Sequence, residues 1–199
     1  MNTPQPIDPR AQQVLDFWFG APGDPHHLQP RAGWFRKDPA FDAAIRDRFG
    51  TLIDAALAGG LDAWAAPPHA AVARIVVLDQ FPRNAFRDSA RMFAGDAQAL
   101  AAAKALVAAG ADRGLPGVMR QFVYLPFEHA ENLADQHESM RLFEQLARDE
   151  PALAGLPEWA RKHLDIVARF GRFPHRNALL GRASTTEEIE FLKQPGSGF

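Results

Sequence analysis

Apolar residues recur at intervals of three and four along almost the whole chain, and no segment sustains the alternation of a half-buried strand. The pattern predicts an all-α protein. Asp8-Pro9 pairs a side-chain cap with proline in the first helical turn, and opens a helix through Val14, Leu15 and Trp18 that should stop near Gly20. Residues 21–33, rich in Pro, Gly and His, read as a loop in which His26-His27 faces solvent. Asp38-Pro39 repeats the start signal. Its helix puts Phe41, Ile45, Phe49, Leu52, Ile53 and Ala56 on one stripe and ends at Gly59-Gly60. A third helix is expected from about Pro68 to Phe81, with Pro82 interrupting it. The run Arg74 to Asp79 has the β-branched content of a strand, but its flanks favour a buried helical turn.

Asp88 or Asp96 can cap the next helix, an alanine-rich run to Ala109 with Gly110 at its C-terminal end. Val118 to Leu125 is apolar and helix-compatible. Beyond Pro126 a long helix is expected to about Arg148, with Phe127, Ala130, Ala134, Leu142 and Leu146 at mostly helical spacing. Another helix, Pro157 to Phe170, places Trp159, His163, Ile166, Val167 and Phe170 on one face. Ser184-Thr185-Thr186-Glu187 reads as a capping box before a short helix through Ile189 and Leu192. Short connections favour antiparallel helical hairpins.

Length changes this picture little. A chain of 199 residues is expected to form a single helical domain, 1–199, with short flexible ends at about 1–7 and 194–199, and 47% hydrophobic residues suffice for its core. Charge and composition exclude more. A net charge of −2 argues against a phosphate-backbone binder, although Arg169, Arg172, Arg176 and Arg182 cluster in sequence. The absence of cysteine removes disulfides, thiolate metal sites and cysteine nucleophiles. Residues 1–10 have no signal-peptide core, and no stretch approaches the roughly 20 apolar residues of a membrane span. The chain therefore reads as soluble and cytoplasmic.

Three proline-broken phrases concentrate the candidate chemistry. Phe81-Pro82-Arg83-Asn84-Ala85 recurs as Phe173-Pro174-His175-Arg176-Asn177-Ala178, with one histidine inserted. Between them lies Tyr124-Leu125-Pro126-Phe127-Glu128-His129-Ala130-Glu131-Asn132. Proline removes a backbone donor and crowds the preceding turn, so Arg and Asn should be presented at helix junctions. The arginine fork suits a carboxylate or phosphate. Arg83, Asn84, Arg172, Arg176 and Asn177 are therefore candidate ligand-binding residues. In the middle phrase, a helix starting near Phe127 would put Glu128, Glu131 and Asp135 on one flank, and His129, Asn132 and Gln136 on a neighbouring face. Histidine beside carboxylates suits proton transfer, so His129, Glu128, Glu131 and His175 are the candidate catalytic residues. The structural alternative is that the arginines satisfy helix-end carbonyls or pair with Glu128 and Glu131. No metal-binding spacing, glycine-rich phosphate loop or nucleophile elbow is present, and no cofactor is expected. Trp18, Trp34, Trp64 and Trp159 are candidates to line a pocket, with core packing the default expectation for each.

Four phrases together resemble the bacterial domain-of-unknown-function family 924. They are Val14-Leu15-Asp16-Phe17-Trp18-Phe19-Gly20, Leu78-Asp79-Gln80-Phe81-Pro82-Arg83-Asn84, Leu125-Pro126-Phe127-Glu128-His129-Ala130-Glu131, and Phe170 to Asn177 continuing into Gly181-Arg182 and Ser184 to Glu188. Phe127 departs from the pattern, where a smaller residue is expected. The resemblance implies an all-helical, tetratricopeptide-like fold and supplies no activity. The expectation that follows is an internal Arg/His/Glu pocket for a small anionic molecule or peptide, with acid–base or hydrolytic chemistry. The alternative is a tetratricopeptide-like interaction scaffold in which the same network is structural.

Overall fold

The computed structural model describes residues 7–198, and among them every regular element is helical. The α-helices are α1 (Pro9–Phe19), α2 (Pro39–Leu57), α3 (Pro68–Ile75), α4 (Phe81–Ala85), α5 (Asp96–Ala108), α6 (Gly117–Glu128), α7 (Leu133–Asp149), α8 (Leu156–Phe170) and α9 (Thr186–Leu192). None is long and apolar enough to cross a membrane. Of the ends expected to be flexible, residues 1–6 and 199 lie outside the described residues.

The start signals act as the sequence predicts. Asp8 accepts from the backbone N–H of Arg10, and Asp38 from those of Ala40 and Phe41, with proline in the first turn of both helices. The last box is displaced by one residue. Thr185, not Ser184, accepts from the Glu188 N–H, and Glu188 returns the bond to the Thr185 N–H. Glu188 is fixed from outside the helix by Arg172 and Asn177, which selects this register. Thr185→Ala should cost about 1 kcal/mol of stability in urea denaturation.

Helix α6 is the centre of the molecule. All of its residues are buried, and it packs against α3, α5, α7 and α8. A helix buried all round must account for each polar side chain it carries. Arg120 is held by the Tyr124 hydroxyl and Asp149; Glu128 and Gln121 are the others discussed below. On one flank, Trp18 packs at 5.5–5.9 Å from the rings of Trp34, Phe41, Phe81 and Phe122, and its carbonyl accepts from the Trp34 indole. These aromatic contacts tie α1, α2, α4 and α6 into the main core. Trp64 is buried as expected, but Trp159 is 53% exposed and belongs to no core cluster.

The three proline phrases behave differently from one another. Before Pro82 the chain widens into a π-helical turn, Val76–Gln80, and then continues directly as α4. The wider turn accommodates the missing proline donor without ending the helix. Leu78 lies four residues before Pro82, inside this turn. The backbone of Gly95 packs against its carbonyl so closely that no β-carbon fits there. Pro126 lies inside α6, which ends two residues later at Glu128. Asn132 then caps α7, so the single long helix expected beyond Pro126 is two helices. At the third phrase, α8 stops at Gly171 in the left-handed region (φ 69°), and Pro174–Arg176 forms a 3₁₀ turn.

Candidate functional site

The π turn, the end of α6 and the turn after α8 converge on one polar network. Its floor is Asp79, fully buried in the π turn. Asp79 Oδ1 lies 2.8 Å from His129 Nδ1 and 3.2 Å from Arg83 Nη1, and its other oxygen accepts from Gln80 at 2.6 Å. Arg83 also donates to the Asp79 carbonyl and forms a two-bond fork on Asp96, at 2.7 and 3.0 Å. Arg176 reaches the same Asp96 carboxylate at 3.2 Å. Its guanidinium lies against Phe173 and Phe93, 4.5 and 4.7 Å from their ring centres. Arg83, His129 and Arg176 therefore meet through two shared carboxylates.

Gly95 explains how Asp96 arrives. Its close approach to the Leu78 carbonyl brings the first turn of α5 onto the π turn, and Asp96 spends its carboxylate on the arginines rather than on capping α5. Asp88 adopts a turn with positive φ and caps nothing either.

A second layer surrounds this core. Glu131 accepts a two-bond fork from Arg182 at 2.6 and 2.9 Å and another bond from the Phe173 N–H. Arg172 forks onto Glu188 at 2.7 and 2.8 Å. Asn177 donates to Ser184 and Glu188 and accepts from Arg182. Glu128 does not meet an arginine. Its Oε1 lies 3.2 Å from His163 Nδ1, which also donates to the Trp159 carbonyl at 2.9 Å.

Protonation follows from this geometry. Burial opposes ionisation of Asp79, but Arg83, His129 and Gln80 outweigh it and hold the carboxyl well below its usual range. Burial, then the positive charge of Arg83, lowers the pKa of His129, against the pull of Asp79. We assign the pair as an Asp79 carboxylate and a neutral His129. Asp79 as acceptor then places the proton on Nδ1 and leaves the lone pair on Nε2. Burial and the adjacent Asp79 charge push Glu128 up to about 8. Burial and His129 push His163 down to about 3, so the Glu128–His163 contact is between neutral groups and is no ion pair at neutral pH. His175 is pushed down to about 4 by burial and by Arg176, and Arg176 itself down to about 10 by burial and by Arg83.

Several expectations need correction. Glu128, Glu131 and Asp135 do not share a helix flank, because α6 ends and α7 starts between them. Arg83 and Arg176 pair with Asp79 and Asp96, not with Glu128 and Glu131. Asn84 turns away from the network and donates to Asp42, which also holds Arg87. The sequence cluster of Arg169, Arg172, Arg176 and Arg182 forms no free basic stripe, since each meets a carboxylate. His27, expected to face solvent, bonds the Gly20 carbonyl through Nδ1. Asp79, Asp96, His163, Arg182 and Glu188 belong to the network although the sequence does not mark them as site residues: Asp96 reads as a helix cap, Arg182 as part of a basic cluster and His163 as part of an apolar face. Asp79 stands four residues before Arg83, the spacing of a helical ion pair, and this is the local signal the sequence carries for it.

The family described as a bacterial protein of unknown function (DUF924) matches residues 14–196. The chain belongs to that family. A solved structure of a protein of unknown function from Agrobacterium tumefaciens is 40% identical to it, covering 92% of this chain and 97% of its own, with a TM-score of 0.79. No curated protein matches the chain. Three of the four phrases that carry the DUF924 resemblance supply the walls of the network: the π turn with α4, the end of α6, and the segment from α8 to α9. The first phrase, in α1, supplies Trp18 to the core beneath it.

Proposed function

We propose that the network is a site where a small anionic molecule binds and exchanges protons. Asp79 orients His129, which acts as the base through Nε2. Arg83 and Arg176 hold the anionic group. The observation that carries this reading is Asp96, a carboxylate already clasped by both arginines at the rim, with its side chain 22% exposed. A carboxylate or phosphate from solution would compete for the same donors. The Nε–H of Arg176 is buried and makes no hydrogen bond among the described residues, so it is available to such a group. Arg83 and His129 reach the same rim, their side chains 15% and 13% exposed.

Charge sets a condition on binding. Asp79 and Asp96 balance Arg83 and Arg176, so an added anion favours a proton on His129. Asp96→Asn removes the resident competitor. It should tighten binding of inorganic phosphate by about tenfold or more in calorimetric titration, and phosphate should raise the His129 pKa followed by NMR. If neither wild type nor D96N binds phosphate or small carboxylates at tens of millimolar, as an order of magnitude for a weak site, the reading fails.

A second reading has its own support. Arg83, Arg172, Arg176 and Arg182 each already have a carboxylate partner within the chain. On that reading the network clamps α5, α8 and α9 to the core of a helical interaction scaffold. D96N would then lower the melting temperature with no gain in anion binding.

A further inference from the structure

Gln121 poses a separate question on α6. It is 3% exposed, yet its carboxamide makes no hydrogen bond to any described residue. Buried amides are almost always paired, and an apolar side chain of similar size would fill the same place without that cost. The amide instead borders a cavity of about 300 Å³, walled by Trp34, Phe35, Leu153, Leu156 and Trp159. The amide is therefore satisfied from the cavity, by water or by a molecule that displaces it.

The walls restrict what that is. Trp34 and Phe35 belong to the 3₁₀ turn Ala32–Phe35, while Trp159 stands on α8. Phe35 and Trp159 are 59% and 53% exposed, two of the largest apolar side chains left open on the surface. Lys162 holds one face of the Trp159 indole at 4.3 Å, and no other aromatic ring stacks on it among the described residues. Aromatic walls favour a flat ring. A carboxamide offers donors and an acceptor side by side, and so matches an edge with the complementary pair. The volume suits one bicyclic molecule, at the small end of ligand pockets.

We propose that this cavity binds a flat heteroaromatic lactam, with Gln121 pairing to its N–H/C=O edge and Trp159 covering its face. The inference does not rest on the acid–base reading, and it assigns this cavity binding, with no chemistry.

The test uses three probes on the full chain, followed by ligand-observed NMR titration. Isoquinolin-1(2H)-one has the ring and the edge, naphthalene has the ring alone, and piperidin-2-one has the edge alone. Wild type should bind the isoquinolinone about tenfold or more tighter than either other probe. Gln121→Leu should erase the preference over naphthalene while leaving naphthalene binding intact, and should hold or raise the melting temperature. Trp159→Ala, a change at an exposed position, should weaken both ring probes. Equal affinity of wild type for the isoquinolinone and naphthalene would overturn the proposal. So would a preference that survives Gln121→Leu, absence of saturable binding by any ring probe, or a Gln121→Leu melting temperature several degrees lower, which would mean the amide has a partner inside the protein.

Discussion

Replacing Asp79 with alanine should lower folding stability at pH 7 by about 3–5 kcal/mol, the range for removing one partner of a buried charge pair. In a chain of this length that is roughly 6–20 °C in melting temperature. The cost does not come from Asp79 alone. Its removal leaves His129 Nδ1, Gln80 Nε2 and part of the Arg83 fork without their acceptor, in a place water does not reach. Arg83 keeps Asp96 and the residue-79 carbonyl, which is why the loss should stay below that of a stranded charge. Asp79→Asn should cost less, since one oxygen still accepts from His129 or Arg83. It carries a second signature: without the Asp79 charge, the Glu128 pKa should fall. Urea denaturation of both variants, with NMR titration of Glu128, checks the pair of effects. A loss below about 1 kcal/mol for Asp79→Ala would show the carboxylate to be an ordinary surface-like group and would remove the basis for treating the network as one unit.

That network was half legible in the sequence, and the reason lies in what local signals encode. The helices announce themselves through Asp8-Pro9, Asp38-Pro39 and the apolar stripe of α2, because caps and periodicity act within a few residues. The proline phrases located Arg83, His129 and Arg176, and the structure joins all three. What the phrases did not contain was the identity of the partners. Asp96 meets Arg83 across 13 residues and Arg176 across 80, and only the Gly95–Leu78 approach puts it there. The effect of each proline was also set by its surroundings. Pro82 is absorbed by a π turn and Pro126 by a helix about to end, whereas only Pro174 follows a completed break. Glu128 shows the same limit from the other side. Its neighbours in sequence predicted an ion pair, but packing against α8 gave it a neutral histidine and a buried setting.

Glu128→Gln should therefore stabilise the protein at pH 8 and change the shape of its stability–pH curve. The Glu128 pKa is raised from 4.5 to about 8 by burial and by Asp79. The folded state keeps this proton over a window in which the unfolded chain has released it. Stability from this group is thus fully present below pH 4.5 and is lost as pH rises to 8, with a slope of about 1.4 kcal/mol per pH unit and a total on the order of 5 kcal/mol. His163 and His175 act in the opposite sense. Their pKa values fall from 6.5 to about 3 and about 4, so their contribution is present above pH 6.5 and is lost as pH drops. Between pH 4.5 and 6.5 the two histidines outweigh the single glutamate, and above 6.5 the glutamate acts alone. Wild-type stability should peak near pH 6.5 and fall by about 2 kcal/mol by pH 8. Glutamine has the shape of the protonated acid and fits the same place beside His163 without a charge, so the variant should keep the acid limb and lose the alkaline fall. Urea denaturation of both proteins from pH 4.5 to 8.5 decides it. Parallel curves above pH 6.5 would mean that Glu128 is ionised in the folded protein, with a compensating cation near it.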